Sequence, residues 1–333
     1  MRIVYFGSDR FGIPVLAEVG RIHDVAAIVT APDKPGKRGM KLISTPVKEW
    51  AIENNVRAYL PEKLDKTFAE NIRRLCPDII LVISYGKRLT PEILASANNA
   101  AINLHPSLLP LYRGPAPMEW ALIKGEKVTG LSVIKMTPEI DRGDIILQEA
   151  CPVKNQDDIF ALREKLSRIS ARIVIKSLEI LESGKEPELQ KQEESRRSYA
   201  RKLRKDDGII DWNRDATEIR NLVRGVAEWP GARTCIRTGS ESRYIKLFRT
   251  EAISKEDSPG RPGEVINVNR DSIEVACKSG ALKIYELQMA GKKRLRASEF
   301  LKGTPVVKGD FMESPPETAC MRRKTGKRGP NEE

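Results

Sequence analysis

Histidine and paired cysteine are what this sequence has least of. Two histidines, His23 and His105, stand among 333 residues, and the five cysteines (Cys76, Cys151, Cys235, Cys277 and Cys320) form no C-x-x-C pair. A structural zinc module needs four well-spaced nitrogen and sulfur donors, so none is expected and no metal is expected to serve the chemistry. Unpaired thiols of this kind suit a reducing compartment, where they pack as small apolar groups. No apolar run approaches membrane-spanning length, and Met1-Arg2-Ile3-Val4-Tyr5-Phe6 meets Gly7 too soon for a signal peptide. The expectation is a cytoplasmic protein with no membrane partner. The early glycines, in Gly7-Ser8-Asp9-Arg10-Phe11-Gly12, lack the G-x-G-x-x-G spacing, which argues against a nicotinamide dinucleotide.

What is present is length, apolar residues and positive charge. The chain is long enough for two domains, 40% of it is apolar, and Lys plus Arg outnumber Asp plus Glu by 58 to 46 for a net charge of +12. The excess is uneven, about +3 up to residue 190 and +9 beyond it. A basic balance favours an acidic partner such as nucleic acid or phosphate.

The first 150 residues alternate apolar runs of strand length (3–6, 25–30, 79–84 and 100–104) with helical segments at 14–21, 46–54, 66–75 and 91–97. Pro14, Pro46 and Pro91 fall where first helical turns tolerate them. Continuous apolar strands are buried on both faces, so the fold class is α/β, a Rossmann-like, doubly wound, mostly parallel sheet. In such sheets ligands sit beyond the C-terminal strand ends, which directs attention to loops starting near Gly7, Ala31, Tyr85 and His105. Two more strands, 131–136 and 145–153, precede a helical pattern over 158–181. Residues 1–185 are thus expected as one domain and the highly charged 186–206 as a linker. From 207 to 312, strand-like runs separated by turn residues predict a small all-β barrel of oligonucleotide-binding type. The polar stretch 313–333 is expected as a disordered tail.

The most informative segment is Asn103-Leu104-His105-Pro106-Ser107-Leu108-Leu109-Pro110-Leu111-Tyr112-Arg113-Gly114-Pro115-Ala116-Pro117. Alternation puts Asn103 and His105 on one side of a strand at its C-terminal end, and the prolines stiffen the loop after it. By position alone a turn asparagine and a hydrogen-bonded structural histidine read as well as a functional pair; their setting at the end of a buried strand favours function. The acidic loop 136–145 reads as a solvated turn unless Asp141 folds toward His105. In that case an amide, an imidazole and a carboxylate converge. Asn103 and protonated His105 would donate to the oxyanion formed when a nucleophile attacks a carbonyl, and Asp141 would hold His105 in the required state. With no serine or cysteine nucleophile evident, the transfer would run directly between two bound substrates.

Asn-x-His-x-Ser-Leu-Leu-Pro-x-Tyr-Arg-Gly-x-Ala-Pro followed by Asp-x-Gly-Asp-Ile resembles the signature of the 10-formyltetrahydrofolate-dependent formyltransferases. The resemblance runs to about residue 310 through Tyr5-Phe6-Gly7-Ser8, Pro32-Asp33-Lys34-Pro35, Ser84-Tyr85-Gly86, Ile210-Asp211-Trp212, Trp229-Pro230-Gly231-Ala232 and Gly291-Lys292-Lys293-Arg294. It is similar to the branch whose acceptor is methionyl initiator tRNA. The resemblance implies Asn103, His105 and Asp141 as catalytic residues. It implies Ser107, Leu108, Leu109, Pro110, Tyr85 and Gly86 around the folate cosubstrate. It also implies a tRNA-entering loop, 31–44, carrying Lys37, Arg38 and Lys41, while Lys292 and Lys293 are further candidates for RNA phosphate. Arg142 departs from the family pattern beside Asp141, and a monomer is the default. The alternatives are a related formyltransferase or hydrolase with a small acceptor, and an inactive RNA-binding relative.

Overall fold

The apolar runs of the first 150 residues become strands with buried side chains on both faces. The computed structural model describes residues 1–35, 42–183, 188–238, 241–254 and 260–315, and the chain divides into two units, residues 1–121 with 126–202, and 122–125 with those from 203 on. In the first, β1 (Arg2–Gly7), α1 (Ile13–Ile22), β2 (Asp24–Val29), a two-stranded ribbon of β3 (Lys34–Pro35) and β4 (Leu42–Ile43), α2 (Pro46–Glu53), β5 (Ala58–Tyr59), α3 (Lys66–Arg73) and β6 (Ile79–Ile83) succeed one another. Then come α4 (Pro91–Leu94), β7 (Ala100–His105), α5 (Pro117–Lys124), β8 (Val128–Lys135), β9 (Ile145–Pro152) and α6 (Ile159–Glu182). The prolines mark helix starts, and side-chain caps reinforce them: the Thr45 hydroxyl accepts from Lys48 N, Asp65 from Phe68 N and Asp158 from Ala161 N.

Seven strands order as β5-β2-β1-β6-β7-β8-β9. Strands β1, β2, β5, β6 and β7 pair in parallel, while β8 is antiparallel to both β7 and β9. Chain winding reverses between β1 and β6, the switch point where the C-terminal strand ends leave a crevice. Val4, Phe6, Ile80 and Val82 pack with Phe68, Ile72 and Ile93 over one face. Helix α6 buries Ile159, Leu162, Leu166, Ile173, Val174 and Leu178 along one stripe, as its spacing predicts.

Residues 188–202 do not form the linker that composition suggested. Gln190 bridges to Ile145 and Tyr199 to Arg113, and the backbone of Ser198 and Ala200 exchanges hydrogen bonds with Arg113. Ala200 is fully buried. The charged side chains point outward, and the backbone between them docks as a strap on the first unit.

In the second unit α7 (Ala216–Gly225) precedes β10 (Ala232–Thr238), β11 (Glu241–Ile253), β12 (Val265–Val268), β13 (Ile273–Ala276), β14 (Ala281–Met289), β15 (Arg294–Arg296), α8 (Ala297–Gly303) and β16 (Phe311–Glu313). The sheet orders β12-β13-β14-β11-β10-β16 with β15 on β14. The end strands nearly close on each other: Glu264 bridges to Phe311, and Met312 N donates to Gly263 O at 2.7 Å. A Cβ at Gly263 would lie 2.2 Å from Met312 O, so this approach needs glycine. The strand-like runs of the sequence do not include β15 and β16, which at three residues each are too short to show alternation. The tail boundary also shifts: Glu313 ends β16 and the Ser314 hydroxyl donates to Ile210 O, while residues 316–333 lie outside the described residues. Trp212 is a buried anchor bonded to Thr234, whereas Trp229 is exposed.

Among the described residues no helix is long and apolar enough to cross a membrane, and no group of three His, Cys, Asp or Glu could hold a metal.

Candidate active site

Strand β7 carries Asn103 and His105 to the C-terminal edge of the sheet, between β6 and β8, where Asn103 pairs in register with Ile134 and His105 with Ser132. The loop from β8 to β9 brings Asp141 back over them. Asn103 Nδ2 lies 3.4 Å from Asp141 Oδ1, and His105 Nδ1 lies 3.6 Å from Asp141 Oδ2, an ion-pair separation rather than a hydrogen bond. His105 Nε2 is 2.9 Å from the Tyr112 carbonyl, which can only accept, so Nε2 carries hydrogen and Nδ1 faces the carboxylate. The Gly114 N–H donates to Asp141 Oδ2 at 2.8 Å. The amide, imidazole and carboxylate anticipated from spacing therefore meet.

They line a cavity of about 630 Å³ together with Tyr85 and Gly86. Val82, Leu104, Ile134 and Met136 give it an apolar wall, and Lys87, Arg88 and Arg163 add positive charge. The Tyr85 ring stacks edge-on against Phe6 with centroids 5.2 Å apart, and its buried hydroxyl has no partner among the described residues. Burial pushes the Tyr85 phenol up to about 12, so it stays a neutral donor at physiological pH.

Ser107, Leu108, Leu109 and Pro110 are not among the residues lining this cavity. The Ser107 hydroxyl donates to Leu111 O at 2.6 Å, Leu109 N donates to Ser132 Oγ at 3.0 Å, and Gln148 Nε2 reaches Leu109 O at 2.9 Å. Leu109 packs with Ile134 and Ile145. The segment is a scaffold that fixes the chain between His105 and Tyr112.

Asp141 is held through its backbone as well as its carboxylate. Gln192 of the strap donates through Nε2 to Asp141 O at 2.8 Å and Gly143 O at 2.7 Å, and its Oε1 accepts from Arg113 Nε and Nη2 at 3.0 and 2.8 Å. Arg113, 5% exposed, also donates to Glu194 at 2.7 Å. Arg113 and Arg197 hold the Glu194 carboxyl down at about 2. Arg142, whose charge beside Asp141 departs from the family pattern, directs its guanidinium to within 3.8 Å of Glu194. The strap residues Gln192 and Ser198 and the rim residue Tyr199 escaped sequence reasoning. For Ser198 and Tyr199 the one signal was the short uncharged run Ser198-Tyr199-Ala200 inside a charged stretch.

Of the basic candidates, Lys37, Arg38 and Lys41 lie outside the described residues. Lys292 and Lys293 are exposed in the turn between β14 and β15, with Lys292 N bonded to Met289 O.

The formyl transferase family model matches residues 1–178, and that of the formyl transferase C-terminal domain matches residues 202–305. A methionyl-tRNA formyltransferase from Geobacter sulfurreducens is 39% identical over 305 residues, covering 91% of this chain and 94% of the relative. One from Caldanaerobacter subterraneus is 37% identical over 94% of this chain and 100% of its own. In fold, the chain resembles WlaRD, a sugar 3N-formyl transferase solved with dTDP and 5-N-formyl-THF (TM-score 0.62, 16% identity, 88% of this chain and 99% of that one). It also resembles HypX from Aquifex aeolicus, solved with tetrahydrofolic acid (TM-score 0.60, 20% identity), covering 95% of this chain and 51% of HypX. The two matched domains and the end-to-end likeness to these relatives together show that the chain belongs to the formyl transferase family, in its methionyl-tRNA formyltransferase branch.

Proposed function

We propose that the chain transfers the formyl group of 10-formyltetrahydrofolate to the α-amino group of methionine carried on initiator tRNA. The observation that carries this reading is the meeting of Asn103, His105 and Asp141 in one cavity at the sheet switch point. Full-length likeness to methionyl-tRNA formyltransferases supports the acceptor.

A folate suits the cavity. Its volume of about 630 Å³ is within the range of small-molecule sites, its wall is apolar, and the Tyr85 hydroxyl waits there without a partner among the described residues. Tyr85 and Gly86 would wall the folate, with Ser107, Leu108, Leu109 and Pro110 as the further part of its site. When bound, the donor supplies a formyl group activated for transfer to an amine.

The protein's own groups then divide the work. Asn103 Nδ2 and the Nδ1–H of protonated His105, which at 3.6 Å from Asp141 is beyond hydrogen-bond reach of that carboxylate, would donate to the formyl oxygen as it gains negative charge. Asp141 faces His105 Nδ1 and would take the proton that leaves the attacking amine, to be returned to the donor's nitrogen as its bond to the formyl carbon breaks and the new amide forms. The buried scaffold holds these groups so that little is lost to reorganisation. Lys37, Arg38, Lys41, Lys292 and Lys293 would contact tRNA phosphate, which makes binding weaken as salt rises.

The test supplies 10-formyltetrahydrofolate with methionyl-tRNA and with an amino-sugar nucleotide in parallel. Formylation of methionyl-tRNA supports the reading, and a preference for the sugar nucleotide overturns it.

A further inference from the structure

Asp141 sits in the left-handed backbone region, φ 54°, where a residue with a side chain persists when its surroundings hold it. The next anchor, Gly143, is pressed so closely on β8 that a Cβ there would lie 1.7 Å from Lys135 O. Between these two points the backbone carbonyls of Asp141 and Gly143 converge on one donor, the Gln192 amide, at 2.8 and 2.7 Å. The orientation of that amide is set by chemistry: Arg113 has hydrogens alone to offer, so it fixes Oε1 and turns Nε2 toward the carbonyls. Arg113 is fixed in turn by Glu194, and the strap backbone is stitched to Arg113 through Ser198 and Ala200.

We propose that Gln192 is a positioning residue for formyl transfer, acting through the backbone of Asp141 to hold its carboxylate against His105 and the Gly114 amide. The proposal rests on the function assigned above. Gln192 is not itself among the residues lining the cavity, and its donation to the Asp141 carbonyl is the route by which its effect passes to the site. A misplacement of about 1 Å in such a group costs on the order of 100-fold in rate.

Gln192→Glu is the informative variant, because it keeps the size of the side chain and its contact with Arg113 while removing both donations. Its kcat is expected to fall about 10- to 100-fold, with KM for folate and for methionyl-tRNA within about 2-fold of wild type. Gln192→Met serves as a second variant with the same expectation should the first fail to fold. In an Asp141→Asn background either change is expected to add less than about 2-fold, since two groups acting through one step do not multiply. Exchange of the Gly114 amide proton, which Asp141 accepts in the wild type, is expected to accelerate about 10-fold or more while β1 amides stay protected. Wild-type kcat with unchanged Gly114 exchange overturns the proposal, as does a loss that multiplies in full with Asp141→Asn. If wild-type protein does not formylate methionyl-tRNA, the assigned function falls, and Gly114 exchange still decides whether Gln192 places Asp141.

Discussion

His105 and Asp141 face each other with Nδ1 and Oδ2 3.6 Å apart, and the same carboxylate oxygen accepts the Gly114 amide at 2.8 Å. The far side of the ring is fixed on Tyr112 O, so the imidazole has one nitrogen committed to structure and one directed at the carboxylate. That division leaves Nδ1 as the nitrogen through which the pair would exchange a proton in the proposed reaction.

Replacing His105 with alanine is expected to lower turnover about 100- to 10,000-fold while leaving tRNA affinity nearly unchanged. Single-turnover kinetics beside a filter-binding titration measure the two separately. A rate within a few-fold of wild type contradicts the role.

Tyr85→Phe removes a buried hydroxyl that has no partner among the described residues. The ligand-free protein is expected to gain about 1 kcal/mol of stability, because an unsatisfied polar group is lost. Folate affinity is expected to fall up to about 10-fold, the worth of one neutral hydrogen bond. Thermal melts with and without folate check both; equal folate affinity places the hydroxyl outside the folate contacts.

Much of this arrangement was legible in the sequence. Continuous apolar runs located β1, β2, β6 and β7, since burial on both faces leaves no polar alternation to obscure them. Asn103 and His105 were readable because a two-residue spacing on a strand fixes one face. The side chain of Asp141 was readable through a motif, but the support beneath it was not. Gln192 lies 51 residues away in a stretch whose composition matches a linker, and its partners are backbone carbonyls, which leave no mark on the sequence. The segment 107–110 is fixed by its own buried hydrogen bonds, which leave no pattern in the sequence to be read beside the motif.

Glu194 links stability to pH through the strap. Its folded carboxyl titrates at about 2 against an ordinary 4.5, so its contribution is complete above 4.5 and is lost as pH falls toward 2. Glu194→Gln is expected to lower the melting temperature at neutral pH, and the gap from wild type is expected to narrow as pH is taken below 4.5. A gap that stays constant across that window removes Glu194 from the account of acid sensitivity.

Gly143→Ala places a methyl group 1.7 Å from Lys135 O, a collision with backbone that no side-chain rotation relieves. The expected result is a loss of about 2 kcal/mol or more and a fall in turnover, since the loop carrying Asp141 must move. Chemical denaturation and steady-state rates report both, and an alanine variant of wild-type stability and rate would show that the loop accommodates the methyl group freely.

The central claim is tested most directly by offering the wild-type protein 10-formyltetrahydrofolate with charged initiator tRNA, charged elongator tRNA and free methionine in parallel. The account predicts rapid N-formylation of methionyl initiator tRNA, slower reaction of the elongator and none of the free amino acid. Equal rates with free methionine, or no formyl transfer to initiator tRNA, would contradict it.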